Sequence, residues 1–345
     1  MIKELLNQQF YMIKIGIIGI GRMGKIHLEN LSRKIEGVNL IAAVNPGEDG
    51  QKFALQHGVK NVSKDVDSII NHPEIDAVVI SSPSSTHAEY AVKAARKGKA
   101  VFCEKPIDGS LEKAHETIAE ISALNVPFMI GFNQRFDVNF SRVKMALSNG
   151  EIGRLRNLHI ISRDPQPPPI SYIRTSGGLF RDMTIHDFDM ARFIMGCEVV
   201  EVFAYGNCLI DPAIGDAGDI DSATVLLKFE NGAMATIENS REAVYGYDQR
   251  LEVFGSKGVI KVDNPLKSHM KIVADTGTLS DRHLNFFMDR YQLSYLEEMK
   301  AFITALNQKT PMPVSGEDGL KAMILAEAAN RSLVENRPVQ INSIN

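Results

Sequence analysis

The stretch IKIGIIGIGRMG (Ile13–Gly24) decides the fold, because it joins a short apolar run to three closely spaced glycines. The run is rich in Ile, as is typical of a strand that is buried on both faces. The glycines Gly19, Gly21 and Gly24 follow the pattern GxGxxG. Between a strand and a helix this pattern predicts a dinucleotide-binding turn, and the alternative is a glycine turn that binds no ligand.

Each residue of this turn has an expected role. Gly19 permits the tight turn, Gly21 lets the backbone approach a pyrophosphate, and Gly24 lets the helix pack closely on the strand. The N-terminus of the following helix faces the negative charge of the pyrophosphate. Arg22 and Met23 complete the turn, so we assign them to cofactor binding as well.

The second strand ends at Asn45, in AAVNPGEDG (Ala42–Gly50). An acidic residue is usual here, about 20 positions after the glycines, because it binds the adenosine ribose hydroxyls. Asparagine still hydrogen-bonds a 2′-hydroxyl, but it does not repel a 2′-phosphate. No Lys or Arg follows in Pro46–Asp49, and Arg22 is the only nearby cation. The sequence therefore predicts NAD as the cofactor, with NADP less favoured and dual use left open.

From Ile13 to about Val126, apolar runs alternate with amphipathic stretches. Repeated strand–helix units predict a parallel, doubly wound sheet with an α/β fold. The predicted strands after the first are VNLIAAV, DAVVISS, KAVFC and VPFMIGF, and the helical patterns are KIHLENLSRKI, STHAEYAVKAARKG and LEKAHETIAEISAL.

Beyond about Gly150 the pattern changes to strands that are separated by short turns, which predicts a mainly antiparallel sheet. Asp164–Pro169 is too rich in proline for a helix or a central strand, and we expect a stiff surface segment. Two helical patterns follow, near Phe286–Leu306 and Gly319–Glu335. The predicted strands are VEVFAYGNCLI, SATVLLKFE, GAMATIENSRE, RLEVFGSKGVIKV and MKIVAD.

These patterns divide the chain into three parts. Residues 1–11 form an N-terminal extension whose role the sequence leaves open. Residues 12–135 form a Rossmann dinucleotide-binding domain. Residues 136–345 form an α+β domain for substrate binding and oligomerisation, and its last helix is a candidate to pack back on the Rossmann domain. A length of 345 residues suits two domains of ordinary size.

Composition excludes several classes of protein. The net charge of −4 disfavours a nucleic-acid partner, because phosphate binding usually needs a basic surface. No apolar run approaches the roughly 20 residues that span a bilayer, and the first residues lack a signal-peptide pattern. Three cysteines without metal-type spacing, Cys103, Cys197 and Cys208, predict reduced, buried structural thiols in a cytoplasmic protein.

The acidic segment GGLFRDMTIHDFD (Gly177–Asp189) concentrates polar side chains. Asp182 and His186 are spaced i, i+4 and share one face of a helix, whereas Asp187 points about 100° away from His186. A metal site needs three or more converging ligands, so we predict none. A solvated helix face remains an alternative. With a nicotinamide cofactor we favour acid–base chemistry, with His186 as the base and Asp182 fixing its tautomer or ordering the substrate.

Lys105 lies in VFCEKP (Val101–Pro106), at the carboxyl end of the predicted strand KAVFC, where doubly wound sheets bind ligands. An ammonium group at this position would hydrogen-bond the reacting oxygen and stabilise its developing negative charge. The alternative is a surface lysine at the end of a strand.

Together these stretches resemble the glucose-fructose oxidoreductase, inositol dehydrogenase and rhizopine-catabolism family, from Ile13 to the last helix. Further stretches are similar to the inositol dehydrogenase branch of that family. The motifs of the family are GIGRMG, VFCEKP and GGLFRDMTIHDFD, and those of the branch are GFNQRFD (Gly131–Asp137), SRDP (Ser162–Pro165) and YGYD (Tyr245–Asp248).

The resemblance implies a Rossmann domain followed by a domain with an open, mainly antiparallel sheet. It also implies that the outer face of that sheet is buried against another subunit, in a homodimer or homotetramer. The family's catalytic lysine, aspartate and histidine fall on Lys105, Asp182 and His186. A cis peptide before Pro106, which would direct Lys105 into the cleft, is a further expectation from the family.

Other site residues follow from the same resemblance. The residues expected to bind the cofactor are Ser81, Ser82, His87, Glu104 and Lys105, although His87 is also a candidate helix cap. The alternatives to substrate contact are structural hydrogen bonding for Asn133 and Gln134 and a helix-surface role for Asp189. The residues expected to contact the substrate are Asn133, Gln134, Arg163, Asp189 and Tyr245, together with Lys105, Asp182 and His186. Some inositol dehydrogenases carry Met and Arg where this chain has Asn133 and Gln134, which leaves the inositol isomer open.

The implied reaction is NAD-dependent oxidation of a secondary hydroxyl of an inositol, of the myo-inositol 2-dehydrogenase type, giving a keto-inositol. The alternatives are another inositol isomer, an aldose or a sugar derivative as the substrate. An alternative from a different class of function is a catalytically inactive NAD-binding regulator. Such a protein would be free to lose its catalytic residues, whereas this chain retains both Lys105 and His186.

Overall fold

The structure, a computed structural model, describes residues 12–344. The chain forms two compact units. The first consists of the described part of Met1–Asn133 together with Tyr295–Leu320, and the second of Gln134–Ser294 together with the described part of Lys321–Asn345. The predicted extension of residues 1–11 lies outside the described residues.

The first unit is built on a six-stranded sheet in which all neighbours are parallel, so the predicted doubly wound sheet is confirmed. The strand order is β3-β2-β1-β4-β5-β6, and it reverses between β1 and β4. Ligands bind at the carboxyl ends of the strands beside such a reversal. The strands are β1 Ile13–Ile18, β2 Val38–Val44, β3 Asn61–Ser63, β4 Ala77–Ile80, β5 Ala100–Glu104 and β6 Phe128–Gly131.

Amphipathic helices connect these strands. In the fourth of them, small buried side chains such as Ala91 and Ala94 let the helix pack closely on the sheet. The fifth begins after Ser110, whose side chain accepts a hydrogen bond from the backbone N–H of Lys113 and caps the helix. The helices are α1 Arg22–Arg33, α2 Glu48–Gln56, α3 Asp67–Ile70, α4 His87–Arg96 and α5 Leu111–Ala123.

The second unit contains a seven-stranded sheet in the order β12-β11-β7-β10-β9-β8-β15. Strands β7 and β10 are parallel and the other neighbours are antiparallel, which confirms the predicted mainly antiparallel sheet. The hairpin β13–β14 is separate. The strands are β7 Leu155–Arg163, β8 Val199–Asn207, β9 Ser222–Phe229, β10 Met234–Ser240, β11 Asp248–Gly255, β12 Val259–Val262, β13 Lys271–Ala274, β14 Gly277–Ser280 and β15 Val339–Gln340.

Strand β7 was not among the predicted strands, although it lies near the middle of this sheet. Its buried residues, Leu158, Ile160 and Ser162, alternate with more exposed ones. The alternation is typical of a strand with one buried face, but Arg156 and His159 interrupt the apolar run. The sequence of β7 therefore shows the apolar–polar alternation of a strand, but it lacks the continuous apolar run by which the other strands were recognised.

Seven further helices follow β6 in the described part of the chain. Two long helices near the C-terminus agree with the two helical patterns, although each begins or ends a few residues away from the predicted bounds. The helices are α6 Val138–Ser148, α7 Ile170–Ser176, α8 Ile185–Met195, α9 Pro212–Asp216, α10 Phe287–Arg290, α11 Gln292–Gln308 and α12 Gly316–Glu335. Helices α11 and α12 each contribute residues to both units.

The segment Tyr295–Leu320 covers the edge strand β6 of the first sheet. The backbone N–H of Ile130 donates to the carbonyl of Val314 at 3.2 Å, and Met129 forms a β-bridge with Ser315. A Cβ atom at Gly316 would lie 2.5 Å from Ile118 Cδ1, so this approach requires glycine. A covered edge cannot pair with another chain.

The cysteines agree with the prediction only in part. All three are free thiols, but only Cys103 is buried, while Cys197 and Cys208 are partly exposed. Burial raises the pKa of the Cys103 thiol well above its usual value. Within residues 12–344, no helix is both long enough and apolar enough to cross a membrane.

Candidate active site

The glycine turn (Gly19–Gly24) follows β1 and begins α1. Gly19 has a φ of +89°, and a Cβ atom there would lie 2.4 Å from the backbone nitrogen of Ser82. Both facts require glycine, as predicted for the tight turn. The Ser81 hydroxyl donates to the Gly19 carbonyl at 2.7 Å. The structure thus brings Ser81 and Ser82, two predicted cofactor residues, against the glycine turn.

The other two glycines differ in what surrounds them. A Cβ atom at Gly24 would lie 2.0 Å from the Gly19 carbonyl oxygen, whereas one at Gly21 would meet no atom within 4 Å. Gly24 is therefore needed for packing, and Gly21 leaves open space beside the backbone. Helix α1 has no side-chain cap and no acidic residue in its first turn. Its first N–H groups can therefore bind a pyrophosphate, so these residues fit a dinucleotide.

Asn45, at the end of β2, is hydrogen-bonded through both ends of its amide. Its Oδ1 accepts from the backbone N–H of Ile20 at 2.8 Å, and its Nδ2 donates to the Gly47 carbonyl at 2.8 Å. A Cβ atom at Gly50 would lie 2.4 Å from this amide nitrogen, so Gly50 makes room for the side chain. Asn45 joins the glycine turn to the turn that follows β2, in addition to its predicted contact with the ribose.

His87, predicted as a cofactor residue or a helix cap, begins α4 and is 2% exposed. Its Nδ1 lies 2.7 Å from the Pro106 carbonyl oxygen and its Nε2 lies 2.8 Å from the Ser82 carbonyl oxygen. The ring therefore links two turns at the carboxyl edge of the sheet. Both nitrogens face backbone oxygens, which argues against a direct contact between this ring and a cofactor.

The turn after β5 carries Lys105, and the Lys105–Pro106 peptide is cis, as expected from the family. Glu104 is 8% exposed and its Oε1 accepts a hydrogen bond of 2.7 Å from His27 Nε2. Glu104 was predicted to contact the cofactor, whereas here its carboxylate is engaged by a buried ring. His27 was not singled out from the sequence, because a lone histidine on a helix has no distinguishing signal.

The acidic segment departs from the regular helix on which its predicted geometry depended. Gly177 and Gly178 have φ values of +85° and +86°, and a π-helical turn over Phe180–Thr184 precedes α8. Asp182 belongs to the π-helical turn and His186 to the α-helix. A π-helical turn inserted before an α-helix is frequent at functional sites.

Asp182 is surrounded by groups that the sequence did not indicate. Its Oδ1 accepts from the Tyr172 hydroxyl at 2.8 Å, and its Oδ2 accepts from Arg241 Nη1 at 3.3 Å. Arg241 is 1% exposed, and its Nη2 also donates to Asp219 at 3.3 Å. Asp219 accepts the backbone N–H of Leu179, within the acidic segment. A buried arginine thus stands between two carboxylates and helps to hold Asp182.

Asp187 is fully buried and hydrogen-bonded to neutral amides. Asn239 Nδ2 donates to its Oδ2 at 2.8 Å and Gln249 Nε2 donates to its Oδ1 at 2.9 Å. Burial raises the pKa of Asp187 to about 7, and the hydrogen bonds from Gln249, Asn239 and Ser162 offset part of that rise. This residue anchors the start of α8, next to His186, on the strands of the second sheet.

Asp189, predicted to contact the substrate, forms a bidentate ion pair with Arg135. The Nε–Oδ2 and Nη2–Oδ1 distances are 2.8 and 2.5 Å, and the two side chains are 9% and 2% exposed. Such a pair fixes both partners. Asp189 is 1% exposed, so the alternative of a helix-surface role is wrong, and the ion pair with Arg135 engages both of its carboxylate oxygens.

Arg163 and Tyr245, two predicted substrate residues, are brought together. Arg163 Nη1 donates to the Tyr245 hydroxyl at 2.5 Å, and that hydroxyl donates to Asp248 at 2.6 Å. Arg163 also donates to Glu238 through Nε at 3.0 Å. Tyr245 is 40% exposed, so one side of this cluster is accessible.

Asn133 and Gln134, which begin a short 3₁₀ turn after β6, are almost fully buried. Asn133 Nδ2 and Gln134 Oε1 have no hydrogen-bond partner among the described residues. Buried polar atoms are normally paired, so an unpaired donor and an unpaired acceptor here suit contact with a polar ligand. Within residues 12–344, no three His, Cys, Asp or Glu side chains converge as they would around a metal ion.

Each unit can be described by the chemistry that it offers. The first presents an anion-binding turn and a lysine at the carboxyl edge of a parallel sheet. The second presents a half-buried aspartate and histidine on a π-to-α transition, backed by the buried Asp187. An anion-binding turn suits a dinucleotide, and a histidine with a carboxylate suits proton transfer.

Comparison with known proteins agrees with this description. Residues 13–132 match the model of an oxidoreductase family with an NAD-binding Rossmann fold, and residues 140–261 match the GFO/IDH/MocA C-terminal domain. The chain belongs to the GFO/IDH/MocA oxidoreductase family. The resemblance inferred from the motifs and the predicted fold class are therefore both confirmed, and the first unit carries the family's NAD-binding fold.

Several GFO/IDH/MocA relatives are similar over nearly their whole length. The myo-inositol 2-dehydrogenase of Thermotoga maritima is 48% identical, over 96% of this chain and 99% of the relative. The inositol 2-dehydrogenase of Rhizobium meliloti is 43% identical, over 95% and 99%. The crystal structure of scyllo-inositol dehydrogenase from Lactobacillus casei with bound NAD(H) and scyllo-inositol superposes with a TM-score of 0.90, at 33% identity and over 96% and 99% of the two chains.

Proposed function

We propose that this protein is an NAD-dependent inositol 2-dehydrogenase, which oxidises one secondary hydroxyl of myo-inositol or a close relative to a ketone. The observation that carries the proposal is the 48% identity with a myo-inositol 2-dehydrogenase over 96% of the chain. The glycine turn, with its open space at Gly21 and uncapped helix, is consistent with the cofactor. Lys105, Asp182 and His186 are the residues to which we assign the chemistry.

Oxidation of an alcohol removes a hydride from carbon and a proton from oxygen. Bound NAD supplies the acceptor for the hydride, at nicotinamide C4. His186 takes the proton, because imidazole is a base near neutral pH. Lys105 donates a hydrogen bond to the reacting oxygen and stabilises its negative charge. Asp182 orients His186 or a substrate hydroxyl, and its contacts with Tyr172 and Arg241 restrict its own orientation.

A polyol is the substrate class that best suits the unpaired polar atoms. The amide nitrogen of Asn133 can donate to a hydroxyl, and the amide oxygen of Gln134 can accept from one. A substrate that lacks the corresponding hydroxyl would leave these buried atoms unpaired, which is how polar sites reject analogues. Arg163 and Tyr245 are further candidates for contact with the substrate, whereas Asp189 is engaged by Arg135.

We also propose that the chain assembles as a homodimer or homotetramer through the outer face of its seven-stranded sheet. The strand registers place several exposed apolar side chains on this face, at positions that alternate with buried ones. An apolar face of this kind is usually covered in the native assembly. The exposed apolar residues of this face are Tyr205, Leu226, Met234 and Phe254.

A Leu226→Lys variant tests this proposal, because it places a charge in the middle of the apolar face. The variant should sediment as a monomer in sedimentation velocity.

Two further proposals concern location and domain limits. The three free thiols support a reducing, cytoplasmic location. We also propose 12–135 and 136–345 as limits for separate expression of the cofactor and substrate domains. The compact units place the segment Tyr295–Leu320 with the first, so an isolated 12–135 fragment would lack the cover of β6.

The decisive experiment measures reduction of NAD, and separately of NADP, at pH 9 with myo-inositol, scyllo-inositol, D-chiro-inositol and glucose. We expect turnover of at least one inositol with NAD and little with glucose. A Lys105→Ala variant should lose turnover while NADH still binds. If none of the four substrates is turned over while NADH binding is intact, the inositol assignment is refuted. Another sugar derivative as the substrate, or an inactive regulator, would then be favoured.

A further inference from the structure

Lys105 lies between two residues that each contact a buried histidine. Glu104, which precedes it, accepts a hydrogen bond of 2.7 Å from His27 Nε2. Pro106, which follows it, has its carbonyl oxygen 2.7 Å from His87 Nδ1. His27 is 0% exposed and His87 is 2% exposed. Glu104 and Pro106, which flank Lys105 in the chain, are thus each held by a histidine that is buried in the first unit.

The two histidines come from different elements of the cofactor-binding fold. His27 lies on α1, the helix that begins in the glycine turn. His87 begins α4, and its second nitrogen lies 2.8 Å from the Ser82 carbonyl oxygen. Each ring therefore connects the Lys105 turn to a part of the chain that packs around the glycine turn.

Packing fixes the position of the His27 ring. The ring of Phe102 meets it edge-on at a centroid distance of 5.2 Å, and Tyr295 does so at 6.1 Å. Phe102 and Glu104 both belong to β5, a strand that is buried along its whole length. Because the His27 ring is held on these sides, its hydrogen bond restrains the Glu104 carboxylate.

A lysine side chain is a flexible four-carbon stem, so the position of its ammonium group depends on the backbone that carries it. A catalytic group must be held within about 0.5 Å of its productive position. The direction in which the stem leaves the backbone is set by the backbone of residues 104–106. Fixing the residues on both sides of Lys105 therefore fixes that direction.

We propose that His27 and His87 are positioning residues for Lys105, and that together they aim its side chain at the reacting oxygen. The inference rests on the proposed function, because it concerns the lysine of that reaction. Neither ring needs to touch cofactor or substrate to act in this way. A purely structural role would instead stabilise the first unit without a selective effect on turnover.

The test compares His27→Leu and His87→Leu with the more conservative His27→Gln and His87→Asn. A glutamine at position 27 keeps a donor for Glu104, and an asparagine at position 87 keeps a donor near Pro106. We expect kcat for inositol oxidation to fall about 10- to 100-fold in each Leu variant. The KM for NAD and the Kd for NADH should stay within about threefold of wild type, and the conservative variants should recover most of the lost kcat.

His57→Leu is the matched control, since the hydrogen-bond and ring contacts of His57, in the same unit, are with Phe53 and not with Glu104 or Pro106: its Nδ1 lies 2.8 Å from the Phe53 carbonyl oxygen, and its ring stacks on the Phe53 ring. Its kcat should change by less than twofold. An equal loss of kcat in the control, or a rise in the KM for NAD with unchanged kcat, would overturn the proposal. If the Leu variants do not fold, Glu104→Ala and His87→Ala carry the test, because each removes one of the two contacts without adding a bulky apolar group, and unchanged kcat in both overturns it.

Crystal structures of the wild-type protein and the folded variants, without cofactor, supply a readout that is independent of turnover. We expect the Lys105 side chain to leave the backbone in a different direction in His27→Leu and His87→Leu, with Nζ displaced by more than about 1 Å, and to stay in place in His57→Leu. An unmoved Lys105 would refute positioning. Absence of turnover in the wild type with a displaced Lys105 in the variants would refute the proposed function alone.

Discussion

The glycine turn of the first unit and the acidic segment of the second achieve their geometry in opposite ways. In the glycine turn, missing side chains create the shape: Gly19 and Gly24 tolerate no Cβ atom, and Gly21 leaves space. In the acidic segment, side chains create it, through partners such as Asn239 and Arg241 that lie 50 or more residues away in sequence. A site made by backbone is sensitive to added atoms, whereas a site made by side chains is sensitive to lost partners.

The sharpest test of this difference is His186→Ala, in the acidic segment. We expect kcat to fall by about 10³- to 10⁴-fold, because a general base is worth up to that much. The fall in rate at low pH that a histidine base produces should disappear as well. NADH binding, measured by fluorescence titration, should not change. His269→Ala, at an exposed histidine, is the control and should retain wild-type turnover. Weakened NADH binding in His186→Ala would contradict the separation of roles.

Gly24→Ala tests the glycine turn. The added Cβ would lie 2.0 Å from the Gly19 carbonyl oxygen, which is backbone and cannot move aside cheaply. The free energy of unfolding should fall by about 3 kcal/mol or more. Gly21→Ala is the matched control: it should leave the melting temperature unchanged and weaken NADH binding. Equal melting temperatures for the two variants would show that the turn is not restricted by close packing.

Asp187→Asn tests the buried carboxylate of the acidic segment. Its pKa is about 7 in the folded protein against an ordinary value of 3.8. Between these values the folded state binds more protons than the unfolded state, so the free energy of unfolding falls as pH rises through this window. The loss from this group between pH 5 and pH 8 is roughly 3 kcal/mol.

The measurement is urea denaturation at pH 5 and at pH 8, in the wild type and in Asp187→Asn. The variant should lose less stability between the two pH values than the wild type does. Glu242→Gln, which alters an exposed carboxylate, should retain the wild-type dependence. Identical dependence in Asp187→Asn and wild type would mean that Asp187 is ionised in the fold throughout this range.

The smallest expected effect is that of Asn45→Asp, beside the glycine turn. The carboxylate still accepts from the Ile20 N–H, but it loses the donor to the Gly47 carbonyl. It also repels a 2′-phosphate, so the preference for NAD over NADP should rise about tenfold, or about 1.4 kcal/mol. The ratio of kcat/KM values for the two cofactors measures this change. An unchanged ratio would place recognition of the ribose elsewhere.

The same contrast explains which features the sequence predicts. Five of the six strands of the first sheet and the roles of Gly19 and Gly24 follow from local patterns, because each depends on neighbouring residues. The three-residue edge strand β3 has no apolar run and was not predicted. The π-helical turn at Phe180–Thr184 depends on packing, and no periodicity signals it. The ion pair of Asp189 with Arg135 was not predicted, because the two residues are 54 positions apart and nothing in the sequence links them.

Arg241 and His27 show the same limit. Arg241 lies at the end of the predicted strand GAMATIENSRE and was not singled out from the sequence, yet it is buried between Asp182 and Asp219. His27 reads as an ordinary residue on one face of a helix. A buried charged or polar residue can be recognised from the sequence only when its partner is known. The partners of Arg241 and His27 lie far from them in the sequence. Strand β7 was also missed, but for a different reason: its alternation of apolar and polar residues was visible in the sequence.

The position of β7 has a consequence for how the chain is made. Its two neighbours in the sheet, β10 and β11, follow it by about 75 and 90 residues. At a synthesis rate of roughly 5–20 residues per second, β7 leaves the ribosome roughly 4 to 15 s before its first partner is complete. During that interval the backbone N–H and C=O groups along both edges of β7 have no neighbouring strand to pair with, and unpaired strand edges are sites of aggregation. The nascent second unit therefore passes through a state that is prone to aggregation, and a chaperone that binds extended apolar segments would have its target here.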